Sequence, residues 1–334
     1  MKMQIVYVLV SSVEDYFLEE LWVSLYSLRL YNPEVPVTVL VDDATAHRLY
    51  ERKALIDMVT DVKVISVPET YTAKQRSREI KTLARLHVKG DFLFIDTDTV
   101  ICSPLSDCDM PDADIAAVPD EHVTLKMHPF GMGTIDSVNE IFNDDVSDSE
   151  WWFNSGVMYV RDTQLIHSFY KRWNENWYYS CFEKGNSQDQ PALIKTDKEF
   201  GYIVKKIPDI YNCQIAMSIQ YFHKAKILHF WHMDFIADQS FSPFMGMALY
   251  KEVKQNQYIN ESVAKTIINC KSSFETPTMI VGKSQIDFLF SPFCQAFIPV
   301  YNKNPMYASF LNKVAVFVIR FQRMINKICN CKKQ

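Results

Sequence analysis

Along the first hundred positions, apolar residues fall into two patterns. Short solid runs alternate with longer stretches in which apolar residues recur every three or four positions. Ile5-Val6-Tyr7-Val8-Leu9-Val10 is continuous, as in a strand covered on both faces. After Ser11-Ser12, the residues Leu18, Leu21, Trp22, Leu25 and Leu28 share one helical stripe, which predicts a helix over about 14–30 that Asn32-Pro33 ends. A strand over 37–41 closes on Asp42-Asp43. A helix over about 44–57, a strand over 62–67, a helix over 77–87 and, after Gly90, a strand from Phe92 to Ile95 follow. Such alternation predicts an α/β fold, a parallel sheet with helices on both faces. Ligands of such sheets gather at the carboxyl ends of the strands, where Ser11, Asp42 and Asp96 lie.

The pattern then loosens. Residues 107–150 are acidic and turn-rich and read as a long, partly mobile connection. Strand character returns over 151–160, broken by Asn154-Ser155-Gly156. A helix over about 163–182, the pair Asp189-Gln190 and a short strand over 226–230 follow. From residue 236 the alternation is lost. The expected organisation is therefore a catalytic domain over 1–235 and a mostly helical C-terminal extension over 236–334. The extension ends in a stripe of Leu311, Val314, Ala315, Val318, Phe321, Ile325 and Ile328, with Lys313, Arg320, Arg323, Lys327, Lys332 and Lys333 supplying charge. That pattern suits a helix lying on an anionic membrane surface and equally one packed on the body of the protein.

Composition narrows this picture in three places. With 334 residues, 48% hydrophobic and 13% aromatic, the chain can bury one large core or two smaller ones. A net charge of -5 provides no global basic field for nucleic acid. Eight cysteines include no C-x-x-C, which argues against a structural zinc site. The first ten residues lack a basic segment and a cleavage site, and no apolar run approaches the roughly 20 residues of a membrane span. The expectation is a cytoplasmic protein with reduced thiols, at most peripheral at the inner face of the cell membrane.

The candidate chemistry centres on Asp96-Thr97-Asp98, placed directly after the buried run Phe92–Ile95. On an extended chain the two carboxylates share parity and can face one point. Their mutual repulsion is removed by a divalent cation carrying a diphosphate. A solvated pair at a strand end is the plain alternative.

The ordered set of motifs over about 3–235 resembles the nucleotide-sugar glycosyltransferases of the GT-A fold, a Rossmann-like mixed sheet flanked by helices. Among them it is similar to family 8, the retaining family that includes glycogenin and bacterial lipopolysaccharide galactosyltransferases. The resemblance implies metal ligands Asp96, Asp98 and His229, with His232 as the competing histidine, and Mn2+ or Mg2+ as the ion. It implies that Val10, Ser11, Ser12 and Tyr16 meet the uracil base, the first three through the backbone and Tyr16 by stacking. Packing under the loop remains open for Tyr16. Asp42 would bond the ribose or base, or cap a helix. Lys81, with Arg78 a turn away, and Thr97 would lie on the nucleotide side. Asn154 would touch the donor sugar or the acceptor, with Ser155 beside it. Asp189 would hold sugar hydroxyls or serve as a helix cap, Gln190 would sit near the anomeric carbon, and Asp120 would lie near the acceptor. The implied reaction moves a hexose from a UDP-sugar to a glycan or glycolipid hydroxyl, as in surface polysaccharide assembly.

One departure is plain. Relatives follow the late histidine with glycine and Lys-Pro-Trp, whereas this chain reads His229-Phe230-Trp231-His232-Met233-Asp234. The lysine expected to grip the leaving diphosphate is missing. Two other functions fit part of the sequence. The Asp96/Asp98 pair also matches a haloacid-dehalogenase phosphatase, but there the motif opens the domain, and here three strand–helix units precede it. A non-catalytic sugar-binding protein of the same fold is the other.

Overall fold

The computed structural model describes residues 3–128, 131–215, 220–230, 242–272 and 291–331, in two compact units, 1–278 and 279–334. The first unit opens with β1 (Gln4–Leu9), α1 (Phe17–Tyr31), β2 (Val37–Val41), α2 (Asp43–Tyr50), α3 (Lys53–Ile56), β3 (Asp61–Val64), α4 (Ala73–Thr82), α5 (Ala84–His87) and β4 (Phe92–Ile95). It continues through β5 (Thr99–Ile101), β6 (Ile115–Pro119), α6 (Gly131–Phe142), β7 (Phe153–Val160), α7 (Gln164–Tyr178), α8 (Gln190–Glu199), β8 (Lys205–Lys206), β9 (Cys213–Gln214) and β10 (Ile227–His229).

The solid apolar runs form the middle of a seven-stranded sheet in the order β3-β2-β1-β4-β7-β6-β8. Their continuity has a direct cause. Ile5, Tyr7 and Leu9 of β1 enter one core while Val6 and Val8 enter another. Leu93 and Ile95 of β4 part from Phe92 and Phe94 in the same way. A strand with helices on both faces must be apolar at every position.

The sheet is mixed, not parallel throughout. β1 runs parallel to β2 and β4, but β7 lies antiparallel to both β4 and β6. The region expected to be a long connection supplies β6 and α6. The short run Ile-Ala-Ala-Val-Pro carries too little apolar bulk to stand out as a strand, although all five residues are buried. Asn154-Ser155-Gly156 does not break its strand either. It is a bulge inside β7, where the register against β6 jumps from Ala117–Met158 to Val118–Asn154. Bulges of this kind re-aim side chains near functional sites.

A second sheet, β5-β10-β9, abuts the first. Beyond it, α9 (Met247–Asn256) and α10 (Glu261–Ile268) bury Leu249, Tyr250, Val253, Val263 and Ile267 in the core that holds Ile5 and Leu9. The body therefore reaches well past residue 235. The second unit contains the helices Pro292–Lys303 and Pro305–Cys331. No described helix is long and apolar enough to cross a membrane.

Candidate functional site

The chain leaves the large sheet at Ile95 and joins the small one at Thr99. Asp96-Thr97-Asp98 is the bend between them. The two carboxylates converge because the backbone turns from sheet to sheet, a different cause from the shared parity of an extended strand. The bend is fixed at both ends. The Asp96 amide donates to the Gly156 carbonyl (2.7 Å), and the Phe230 amide donates to the Asp98 carbonyl (3.0 Å). His229 lies opposite Thr99 in the antiparallel ladder. Its Nε2 is thereby 3.1 Å from Asp98 Oδ1.

One ligand atom from each of Asp96, Asp98 and His229 lies within 4.8 Å of the others. Two carboxylates and an imidazole suit a divalent ion of the Mn2+ or Mg2+ type. Gly156 shapes the cradle. A Cβ there would run into His229 Cε1 and stand 2.8 Å from Asn154 Oδ1 and 3.0 Å from Asp96 Oδ2. Both the donor set and the space between the donors fit such an ion. Burial lowers the His229 pKa, but the Asp98 carboxylate outweighs it and the net shift is upward. His232 lies outside the described residues.

A second group of charges adjoins the first. Lys81, on the last turn of α4, is buried with its ammonium 3.0 Å from Asp96 Oδ1 and 3.5 Å from Asp189 Oδ2. Arg78 Nε lies 3.1 Å from Asp189 Oδ1. Ser155 Oγ donates to Asp189 Oδ2 (2.7 Å). Asp189 stands at the N-cap position of α8, yet its side chain makes no capping bond. It turns to the cations instead. Burial pushes its carboxyl pKa up, but Arg78, then Lys81 and the Ser155 hydroxyl, reverse this and hold it well below the usual carboxylate range. Trp173 Nε1 secures the Asp189 carbonyl (3.1 Å), and Gln190 Nε2 donates to the Phe153 carbonyl (3.2 Å).

The residues expected on the nucleotide side are tied to one another. The Ser11 amide donates to Thr45 Oγ1 (2.9 Å) and the Ser12 amide to Asp15 Oδ2 (2.7 Å). Val10 is buried at the end of β1. Asp42 caps α2 through the Thr45 amide (2.8 Å) and also receives Arg76 (2.5 Å). Lys254 from α9 lies over the Tyr16 ring at 4.7 Å and donates to the Val13 and Asp15 carbonyls (2.6 and 2.7 Å). Thr97 Oγ1 donates to Glu20 Oε2 (3.4 Å).

Asn154 and Asp120 meet beside this cluster, where Asn154 Nδ2 donates to Asp120 Oδ1 (2.8 Å). His128 Nε2 contacts Asp120 Oδ2 at 3.3 Å. Next to Asp120, Glu121 and His122 adopt φ of 52° and 63°. Such strain persists only where neighbours enforce it. Gln214 does so here, accepting from the Glu121 amide (2.8 Å) and donating to the Pro119 carbonyl (3.1 Å). Burial pushes the Glu121 carboxyl up to about 7 against the pull of His128.

Asn212, Gln214 and His128 carry no sequence signal of their own. Each is a single polar residue in a turn or short strand, and only the tertiary fold brings it to the site.

No family model matches the sequence, and no curated protein matches it. Similar solved structures include mouse xyloside xylosyltransferase 1 in its apo form. It is 15% identical with a TM-score of 0.46, and the match covers 69% of this chain and 98% of that one. The glycosyltransferase GlyE of Streptococcus pneumoniae is 16% identical, TM-score 0.46, over 84% of this chain and 68% of that one. The galactosyltransferase LgtC in complex with donor and acceptor sugar analogs is 15% identical, TM-score 0.48, over 83% of this chain and 98% of that one.

Proposed function

We propose that this chain is a metal-dependent glycosyltransferase that moves a hexose from a UDP-sugar to a glycan or glycolipid hydroxyl with retention of configuration. The observation that carries the reading is the convergence of Asp96, Asp98 and His229 within 4.8 Å, beside the Lys81–Asp189 contact. Held by these three residues, Mn2+ or Mg2+ would offset the negative charge that builds on the departing diphosphate. Lys81 and Arg78 add positive charge at the same place and stand in for the lysine missing after His229. Asp189, fixed by both cations and by Ser155, is the group to hold sugar hydroxyls, with Gln190 and Asn154 beside the sugar and Asp120 toward the acceptor. Val10, Ser11, Ser12, Tyr16 and Asp42 border the base and ribose, with Thr97 near the phosphates.

The acceptor oxygen bonds to the anomeric carbon as the bond from that carbon to the diphosphate breaks. Asp189 is a poor nucleophile, because its charge is already matched by Arg78, Lys81 and Ser155. Attack on the same face, with the acceptor proton passing to the leaving phosphate, therefore suits this site better than a covalent glycosyl-enzyme.

The second unit favours a peripheral site of action on anionic lipid at the inner face of the membrane. Residues 291–334 contain seven Lys or Arg and no Asp or Glu, whereas the rest of the chain has 28 against 40. Phe293, Met306, Tyr307, Phe310, Phe317 and Val318 are all exposed. Apolar exposure joined to one-sided charge is the signature of an interfacial helix. Removing residues 310–334 should move the protein from membrane to soluble fractions, and an unchanged distribution would remove this part of the reading.

Thermal shift with UDP, GDP, CMP and phosphate, each with and without Mn2+, tests the transferase site. Stabilisation by UDP that requires Mn2+, followed by UDP release from a UDP-sugar, is the expected result. Indifference to every nucleotide in both conditions would overturn it.

A further inference from the structure

We infer that Asn212 is a positioning residue that fixes which nitrogen of His229 faces the metal, through a hydrogen-bond chain that starts at the Gly156 amide. The inference rests on the metal-site reading above and deepens it.

The chain runs through buried groups and its polarity can be followed link by link. A backbone N–H can only donate. The Gly156 amide donates to the Asn154 side chain at 2.9 Å, so the atom it meets must be the amide oxygen, Oδ1. Asn154 Nδ2 then faces the Asp120 carboxylate at 2.8 Å, an acceptor, as it must. Asn212 approaches the same Asn154 Oδ1 at 2.9 Å. It can do so only with its NH2 group. That leaves Asn212 Oδ1 pointing at His229 Nδ1, 2.9 Å away. An oxygen acceptor there requires Nδ1 to carry a proton. With Nδ1 protonated, Nε2 is the nitrogen left to bind a cation, and Nε2 is the atom beside Asp98.

No freedom of amide assignment remains, because the backbone fixes one end and a carboxylate the other. Asn212 and Gln214 come from the β9 segment, which pairs with β10 at His229–Gln214. Strand pairing therefore sets the distance and the hydrogen-bond chain sets the orientation. Partners of this kind around metal-binding histidines hold the ring tautomer and raise ligand basicity. Asn154, with its oxygen accepting two bonds, is a hub of this support.

The test uses the full chain and Mn2+ alone, with binding followed by titration calorimetry and by loss of the free Mn2+ paramagnetic signal. Asn212→Ala should weaken Mn2+ binding by roughly 10- to 100-fold. Asn176→Ala, which removes another buried asparagine that bonds Thr196 and Glu199 away from the site, should lower the melting temperature without changing Mn2+ affinity. Equal affinity in wild type and Asn212→Ala would overturn the inference and leave the metal site standing. Wild-type protein that binds no Mn2+ would overturn the metal-site reading itself, and the inference with it. Should Asn212→Ala fail to fold, nitrogen NMR of wild-type protein loaded with diamagnetic Mg2+ decides the matter. A His229 ring protonated at Nδ1 supports the inference, and one protonated at Nε2 overturns it.

Discussion

Asp189 and the Asp96–Asp98 pair are neighbouring acidic groups, joined by Lys81, with different surroundings. Asp189 is complete. Two cations and a hydroxyl converge on one carboxylate, and its pKa is driven down. The pair puts two carboxylates side by side, with Lys81 on Asp96 and the His229 imidazole on Asp98. A finished ion pair is a fixed scaffold, whereas two like charges this close are a place where a cation belongs. The comparison predicts that removing a carboxylate has opposite consequences in the two places.

The largest effect is expected at the pair. Asp98→Ala should abolish Mn2+-dependent stabilisation by UDP and lower turnover by about a thousandfold or more. The metal-free protein should stay within about 1 kcal/mol of wild type, since one of two repelling charges is gone. Chemical denaturation with and without Mn2+ measures both. A large loss in the metal-free protein would break the comparison by showing that the pair is structural.

Asp189→Ala should behave the other way. It leaves Arg78 and the buried Lys81 without their partner, at a cost of about 3–5 kcal/mol. Mn2+ affinity should fall by no more than about tenfold, as the freed Lys81 turns fully to Asp96. The sign of the pH dependence follows from the depressed pKa. The folded state holds this proton less tightly than the unfolded state, so Asp189 contributes its stability above the ordinary aspartate range near pH 4 and loses it as pH falls further. Denaturation curves of wild type and Asp189→Asn between about pH 2 and 6 should converge at the acid end. A constant gap would show that Asp189 acts through packing instead of charge.

Gly156→Ala sharpens the comparison from the backbone. The added methyl meets His229, Asn154 and Asp96 together. It should cost about 1–3 kcal/mol as overpacking. It should also weaken Mn2+ binding while leaving the Asp189 cluster intact, which the unchanged acid limb of the stability curve would report.

How much of this could be read from sequence depended on whether a residue's neighbours were local. The runs of β1, β2 and β4 were legible because full burial forces continuous apolar character. Asp96 and Asp98 were legible because two carboxylates after such a run need an explanation. The cause of their convergence was not, since a bend between two sheets depends on where β10 lies. β6 was missed because two alanines pack well in a crowded interior while looking like a loop. The Asn154-Ser155-Gly156 bulge read as a break because its hydrogen bonds go to another strand. Asn212 was invisible for the same reason, as its partners His229 and Asn154 are 17 and 58 residues away.

The smallest predicted effect tests the electrostatic premise away from the site. Asp197 is a buried carboxylate whose oxygen accepts from the Val204 amide (2.9 Å), with Lys205 acting only at longer range. Burial pushes its pKa up to about 6, against the pull of the Val204 amide and Lys205. The folded state therefore binds the proton more tightly than the unfolded state. The group costs stability as pH rises from about 4 to 6, and the full penalty stands above that. A shift of this size sets a ceiling of about 3 kcal/mol. Asp197→Asn removes the charge and keeps an oxygen to accept from the Val204 amide, whose pull is already contained in that shift. The expectation is a stabilisation at pH 7 below that ceiling, about 1 kcal/mol or more, vanishing near pH 4. If Asp197→Asn were as destabilising at pH 7 as Asp189→Ala, burial without a matching cation would not be costly in this interior. The argument that the Asp96–Asp98 pair calls for a divalent ion would then lose its physical footing.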